Sequence, residues 1–157
     1  MSMSERVNEG LQREDEDFMH ACIELALIAQ QRGDPPVGAV LVRDGHVIAK
    51  GIEGGRTYND ITYHAEVEAI RQATTLLNSQ DLSEYTLYTT HEPCILCSYV
   101  IRHTKIHTIV MALTTGEIGG MSSRYPLLSD DSIKKWGAPP TLITGILEKE
   151  CRELLGK

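Results

Sequence analysis

Cys94 and Cys97 stand three positions apart in THEPCILCSY (90–99), behind an acid and a proline. Cysteines so spaced can form a redox couple, half of a closed structural zinc site, or part of an open catalytic metal site. A thioredoxin-like couple needs further fixtures that this chain does not display. A closed zinc site needs four ligands, commonly from two such pairs. The other cysteines, Cys22 and Cys151, fall singly on apolar helix faces, where a thiol packs as a small hydrophobe. His91 or His103 could supply a fourth ligand, so the closed site stays as an alternative.

The open site draws on YHAEVEAI (63–70). His64, Cys94 and Cys97 can converge on one ion and leave a position for water, the arrangement of catalytic zinc. All three fall in the first turns of expected helices, whose partial positive charge favours thiolate over thiol. Glu66, two residues past His64, is badly spaced for a ligand on the same helical face. It can instead carry the proton of an activated water. Capping its own helix is the competing role for Glu66, and PCxxC behind its own strand favours the proton carrier.

These residues need elements that bring two strand–helix junctions together. From Glu14, Phe18, Cys22, Leu25, Ala26 and Ala29 recur at helical spacing. Residues 1–13 read as a disordered lead-in, leaving 14–157 as a single domain. Gly33 and Pro35-Pro36 stop the first helix. Strands follow at 37–42 and 46–52 around an Asp44-Gly45 turn, then a helix from about His64 with Val67, Ile70, Ala73 and Leu77 inward. A strand at 85–90 leads into a helix running to about His103, with Pro93 a residue type suited to its first turn. Strands at 106–113 and 141–144 and a helix at 146–155 complete the chain. The long connection before the last strand favours a parallel crossover. The expected fold is α/β, a three-layer α/β/α sandwich around a mixed five-stranded sheet.

HAE at 64–66 followed by EPCILC at 92–97 resembles the cytidine deaminase superfamily, with its H-x-E…P-C-x-x-C signature. The likeness continues through PPVGAVLVRDGHVIAKG (35–51), NDITYHAEVEAIR (59–71), LYTTHEPCILC (87–97) and GILEKECRELL (145–155). Those stretches look like the subgroup of tRNA adenosine deaminases, guanine deaminases and fungal-type cytosine deaminases, from about residue 16 onward. The resemblance implies one Zn2+ per subunit on His64, Cys94 and Cys97, with Glu66 as proton shuttle. It also implies backbone N–H groups of Ala65 and Cys94 turned toward a base, and a homodimer with helices packed across the interface. The subgroup usually has asparagine eleven residues before the ligand histidine, where this chain has Glu53. A carboxylate only accepts hydrogen bonds, so Glu53 would select an N–H-rich edge of the substrate; a solvated loop acid is its alternative. His91 and Tyr63 are weaker candidates for the pocket, with Tyr58 beside them. Trp136 is open between a lid over the pocket and a core anchor.

Composition bounds the rest. At 41% hydrophobic and 24% charged, the chain reads as globular, with a polar, acidic start unlike a signal peptide and no long apolar run. A cytoplasmic protein with reduced cysteines and no membrane association is expected. The net charge of −7, with 15 scattered Lys and Arg, disfavours nucleic acid as a partner. The expected function is therefore hydrolytic deamination of a free nucleobase or related small N-heterocycle, of cytosine, isocytosine or guanine type. The alternative is a tRNA-specific adenosine deaminase (A to I). A non-catalytic zinc-stabilised scaffold is more remote, because it would be expected to have lost Glu66.

Overall fold

In the computed structural model, residues 2–156 are described. Helix α1 (Met3–Gln31) precedes the hairpin β1 (Gly38–Arg43) and β2 (His46–Ile52). Then come α2 (Ala65–Leu77), β3 (Thr86–His91), α3 (Ile95–Thr104), β4 (Thr108–Leu113), β5 (Thr141–Ile143) and α4 (Glu148–Leu155). The five strands form one sheet in the order β2-β1-β3-β4-β5. β1 runs antiparallel to β2 and β3, whereas β3, β4 and β5 are parallel, as the long final crossover predicts.

Strand alternation decides which helix lies on which face. Ala39, Leu41, Leu87, Ile109 and Met111 pack with Ala65, Ala69, Ile70 and Ala73 of α2 and Ile101 of α3. Their neighbours Val40, Val42, Tyr88, Val110 and Ala112 point the other way, onto Met19, Cys22 and Leu25 of α1 and Cys151 of α4. The sheet is thus buried on both sides, and Cys22 and Cys151 are core residues, as read. Leu77, expected inward, is 38% exposed at the end of α2.

The expected lead-in departs from the structure. Helix α1 begins at Met3, so residues 3–13 are helical. The reason is local: Ser2 Oγ accepts the Glu5 N–H at 3.1 Å and Glu5 Oε2 accepts the Ser2 N–H at 2.6 Å. This capping box satisfies donors that a helix start leaves free.

At the hairpin, Asp44 (φ 50°) and Gly45 (φ 76°) both take the left-handed conformation that a tight two-residue turn requires. Gly51, near the end of β2, lets α2 approach: a Cβ there would lie 1.8 Å from the Ala65 carbonyl oxygen. The start of α2 is pressed onto β2 in this way, directly beside His64. Trp136 is buried, edge-on to Tyr99 at 5.5 Å and with the Arg102 guanidinium 5.3 Å from its ring centre. Of its two possible roles, the core anchor is the one seen.

Candidate metal centre

β2 leaves the sheet at the end where β1 enters and β3 exits, because Ile52 pairs with Gly38 and Ala39 with Thr89. The starts of α2 and α3 therefore meet above one sheet end. His64 and Cys94 occupy the N-cap positions of these helices, both in extended backbone and neither using its side chain as a cap. Their side chains are left to turn toward each other. Cys97 joins them from the first turn of α3 and is fully buried.

His64 Nδ1 lies 3.4 Å from Cys94 Sγ and 3.3 Å from Cys97 Sγ, and the two sulfurs are 3.7 Å apart. Tetrahedral zinc with ordinary bond lengths needs edges of about 3.6 Å between nitrogen and sulfur and about 3.8 Å between sulfurs. The triangle fits one zinc within a few tenths of an ångström. Among the described residues, these three form the group suited to holding a metal. His91 and His103 do not join it, so the closed four-ligand alternative finds no fourth ligand there.

A hydrogen bond from Cys97 and then the His64 imidazolium hold Cys94 down at about 4, against burial. The same Cys94 contact lifts His64 to about 9. Cys97 is pushed up, first by its bond to Cys94 and then by burial.

Glu66 stands next to this cluster, 4% exposed. One carboxylate oxygen accepts the Thr89 hydroxyl at 2.6 Å and the other faces the Cys97 thiol at 3.1 Å. Burial raises its pKa above the usual carboxylate range, while the Thr89 and Cys97 bonds work in the opposite direction. A buried carboxyl whose pKa is raised toward neutrality is suited to both taking and giving a proton.

The remaining candidates lie around this core. Ala65 is the buried first residue of α2, with its N–H among the donors that a helix start leaves without intrahelical partners. Glu53 is half-buried and senses the charge of His64; one of its oxygens accepts the Gly55 N–H at 3.0 Å. Burial raises its pKa too. Tyr63 stacks on Tyr58 with ring centres 4.3 Å apart. His91 ends β3 with Nδ1 2.9 Å from the Thr90 hydroxyl, and burial takes its pKa down to about 4, so it is neutral at pH 7.

Three polar residues that shape the site were not singled out by sequence. Thr89 orients Glu66. Buried Asp34 accepts the backbone N–H groups of Arg56 and Thr57 at 2.9 and 3.0 Å and also the Thr57 hydroxyl, which fixes the loop carrying Glu53. Buried Glu92 accepts the N–H groups of Thr115, Met121 and Ser122 at 3.1, 2.8 and 2.8 Å. It thereby ties the segment after β4 to the Pro93-Cys94 start of α3. Glu92 was legible only as part of EPC, and Asp34 carried no signal of its own between Gly33 and Pro35-Pro36.

Residues 12–113 match the family model for the cytidine and deoxycytidylate deaminase zinc-binding region. The chain belongs to this family. It is a zinc-dependent hydrolytic deaminase with one zinc site. The tRNA-specific adenosine deaminase of Haemophilus influenzae is 34% identical over 142 residues, which span 90% of this chain and 80% of that protein. A solved structure from work on tRNA:A34 deaminases that edit A to I at the wobble position of transfer RNA superposes with a TM-score of 0.81. It is 33% identical and spans 88% of this chain and 98% of that one. The guanine deaminase of Bacillus subtilis superposes with a TM-score of 0.61 at 38% identity, over 63% of this chain and 64% of that one.

The extended likeness to the tRNA enzymes overturns two expectations, the free-nucleobase substrate and the absence of a nucleic-acid partner. Total charge misled because it averages over the surface. Arg32, Lys50 and Arg71 of the acidic deaminase gather in one groove that also contains Tyr63, beside His64. Among the described residues no helix is long and apolar enough to cross a membrane.

Proposed function

We propose that this deaminase converts adenosine to inosine in tRNA. The observation that carries this reading is the span of the likeness to tRNA-specific adenosine deaminases, which takes in 90% of the chain for the Haemophilus influenzae enzyme. The site geometry is compatible with the same chemistry.

In this reading His64, Cys94 and Cys97 hold zinc, which when bound supplies Lewis-acid activation of a water molecule at the position the three ligands leave open. With zinc held there, Glu66 would take one proton from water as the water oxygen bonds to C6 of the adenine, and pass that proton to N1. It would then take the second proton, from the new C6 hydroxyl, and deliver it to the exocyclic nitrogen as the C6–N bond breaks and ammonia leaves. Thr89, bonded to the other carboxylate oxygen, keeps Glu66 from turning away. The N–H groups of Ala65 and Cys94, at the two helix starts, donate to the base. Glu53 keeps one oxygen for the Gly55 N–H and offers the other to a donor on the base edge; Tyr63 and neutral His91 flank the mouth.

Zinc-loaded protein should be incubated with tRNA transcripts and, separately, with adenosine, adenine, guanine, cytosine and isocytosine, reading ammonia and inosine. Inosine formation in a tRNA supports the proposal. Turnover of a free base with none on any tRNA overturns it.

A further inference from the structure

Tyr58 is half exposed, at 52%, yet it is fixed from beneath. Its ring lies on Tyr63 with planes inclined by 25°. The loop backbone is pressed against both rings: a Cβ on Gly54 would sit 2.7 Å from each of them. Asp34 pins the same loop through two backbone N–H groups and the Thr57 hydroxyl. Single exposed aromatic residues are ordinary on protein surfaces. A tyrosine that is stacked, loop-locked and still open to water is a preformed flat surface, one that costs little entropy to bind against.

One cation stands against it, and two more lie farther along the adjoining groove. The Arg32 guanidinium stands over the Tyr58 ring at 6.0 Å from its centre, near the outer limit of cation–π contact at about 6 Å. Arg32 also donates to the Glu53 carbonyl at 3.1 Å, which holds it at the rim of the site. From Tyr63 and Arg32 a groove of about 660 Å³ runs along the outer strand β2 and the flank of α2, past Lys50 and Arg71. Glu68 is the acidic residue lining it, and it is paired with Arg71 at 3.2 Å. Aromatic faces beside a cationic track suit a single nucleic-acid strand, because every base has a π-face and every linkage carries a negative charge.

We propose that Tyr58 is the stacking platform for a nucleotide next to the target adenosine, and that Arg32, Lys50 and Arg71 guide the strand's phosphates along the groove. This rests on the RNA reading above and adds a place on the protein for the residues flanking the reacting one. The strand enters over Tyr58, turns its adenosine down past Tyr63 toward Glu66, and leaves along β2.

The test measures equilibrium binding of a fluorescently labelled RNA hairpin, with an adenosine in its loop, to the zinc-loaded protein at several salt concentrations. Tyr58→Ala should weaken binding about tenfold, within the range for loss of one base–aromatic stack. Tyr58→Phe and Tyr58→Trp should retain wild-type affinity, and zinc stoichiometry should stay at one in all three variants. Lys50→Gln and Arg71→Gln should each reduce the slope of log affinity against log salt by about 0.7, the loss of one single-strand phosphate contact. Equal binding by wild type and Tyr58→Ala overturns the platform, as does a loss that Tyr58→Phe shares. Unchanged salt slopes overturn the track. Because binding is read without turnover, a protein that binds the hairpin through Tyr58 but makes no inosine refutes the catalytic proposal and leaves the surface standing. A protein that binds no RNA refutes the surface. A protein or peptide ligand competing for the groove while RNA does not would reassign it.

Discussion

Adding zinc to chelator-stripped protein at pH 7 should release about two protons per chain, and the structure identifies their sources. Cys94, held at about 4, is already a thiolate at that pH. His64, lifted to about 9, still carries its second proton, and Cys97, pushed upward, is a thiol. Zinc takes His64 as neutral imidazole and Cys97 as thiolate, so each must shed one proton. Apparent affinity then tightens about a hundredfold per pH unit between about 5 and 8, equivalent to roughly 2.7 kcal/mol per unit. The sign follows from which state holds the protons: the zinc-free protein binds more of them, so raising the pH favours the zinc-bound form. Above about 9 His64 deprotonates by itself and the slope halves. Isothermal titration in two buffers of different ionisation enthalpy counts the protons, and chelator competition at several pH values gives the slope. In Cys94→Ala, His64 loses the contact chiefly responsible for its upward shift and returns toward about 6.5. The count at pH 7.5 then falls toward one. Release of less than half a proton by the wild type at pH 7 would falsify this account of the triangle.

Glu66→Ala and Glu66→Gln should keep zinc at one per chain and lose at least about a hundredfold in turnover, the lower range for a lost general acid–base; ammonia release at the wild-type rate refutes the shuttle. Thr89→Val removes a bond that lowers the Glu66 pKa, so the acid limb of the kcat/KM profile should move to higher pH, and an unmoved limb counts against it. Glu92→Ala strands three backbone donors and should cost about 2–4 kcal/mol in urea unfolding, several lost hydrogen bonds partly replaced by water. Burial alone would raise the Glu92 pKa, but its Ser122, Met121 and Thr115 donors bring it below the usual value. Its contribution is therefore complete above about pH 4.3 and fades as pH falls through the folded pKa, whereas a flat stability profile there contradicts the role. Glu53→Asn should alter KM across a panel of bases, nucleosides and tRNA; unchanged KM and preference remove Glu53 from the substrate edge.

Much of the centre was legible because its ligands are read locally. His64, Cys94 and Cys97 each stand at the start of a helix announced by a strand, a proline or an apolar period, and β-alternation then determines which way the helices pack. The helical residues 3–13 were not legible, since their composition is polar and a capping box depends on the geometry of Ser2 and Glu5 more than on their presence. Thr89, Asp34 and Glu92 were hidden for another reason. Their partners lie 22 to 30 residues away in sequence, and only the folded chain brings them together. Substrate class was misread from net charge, a sum that conceals where Arg32, Lys50 and Arg71 collect.

The Glu92 tether, together with the Gly120 N–H donated to the Pro93 carbonyl at 2.8 Å, couples two parts of the chain that are distant in sequence. Its carboxylate is anchored in the segment after β4, and its backbone is the last step before Pro93 and Cys94. Loosening that segment pulls on the cysteine pair, and releasing zinc slackens the segment. The two should therefore behave as one cooperative unit, with amide hydrogen exchange at Met121 and Ser122 slowed when zinc binds some distance away.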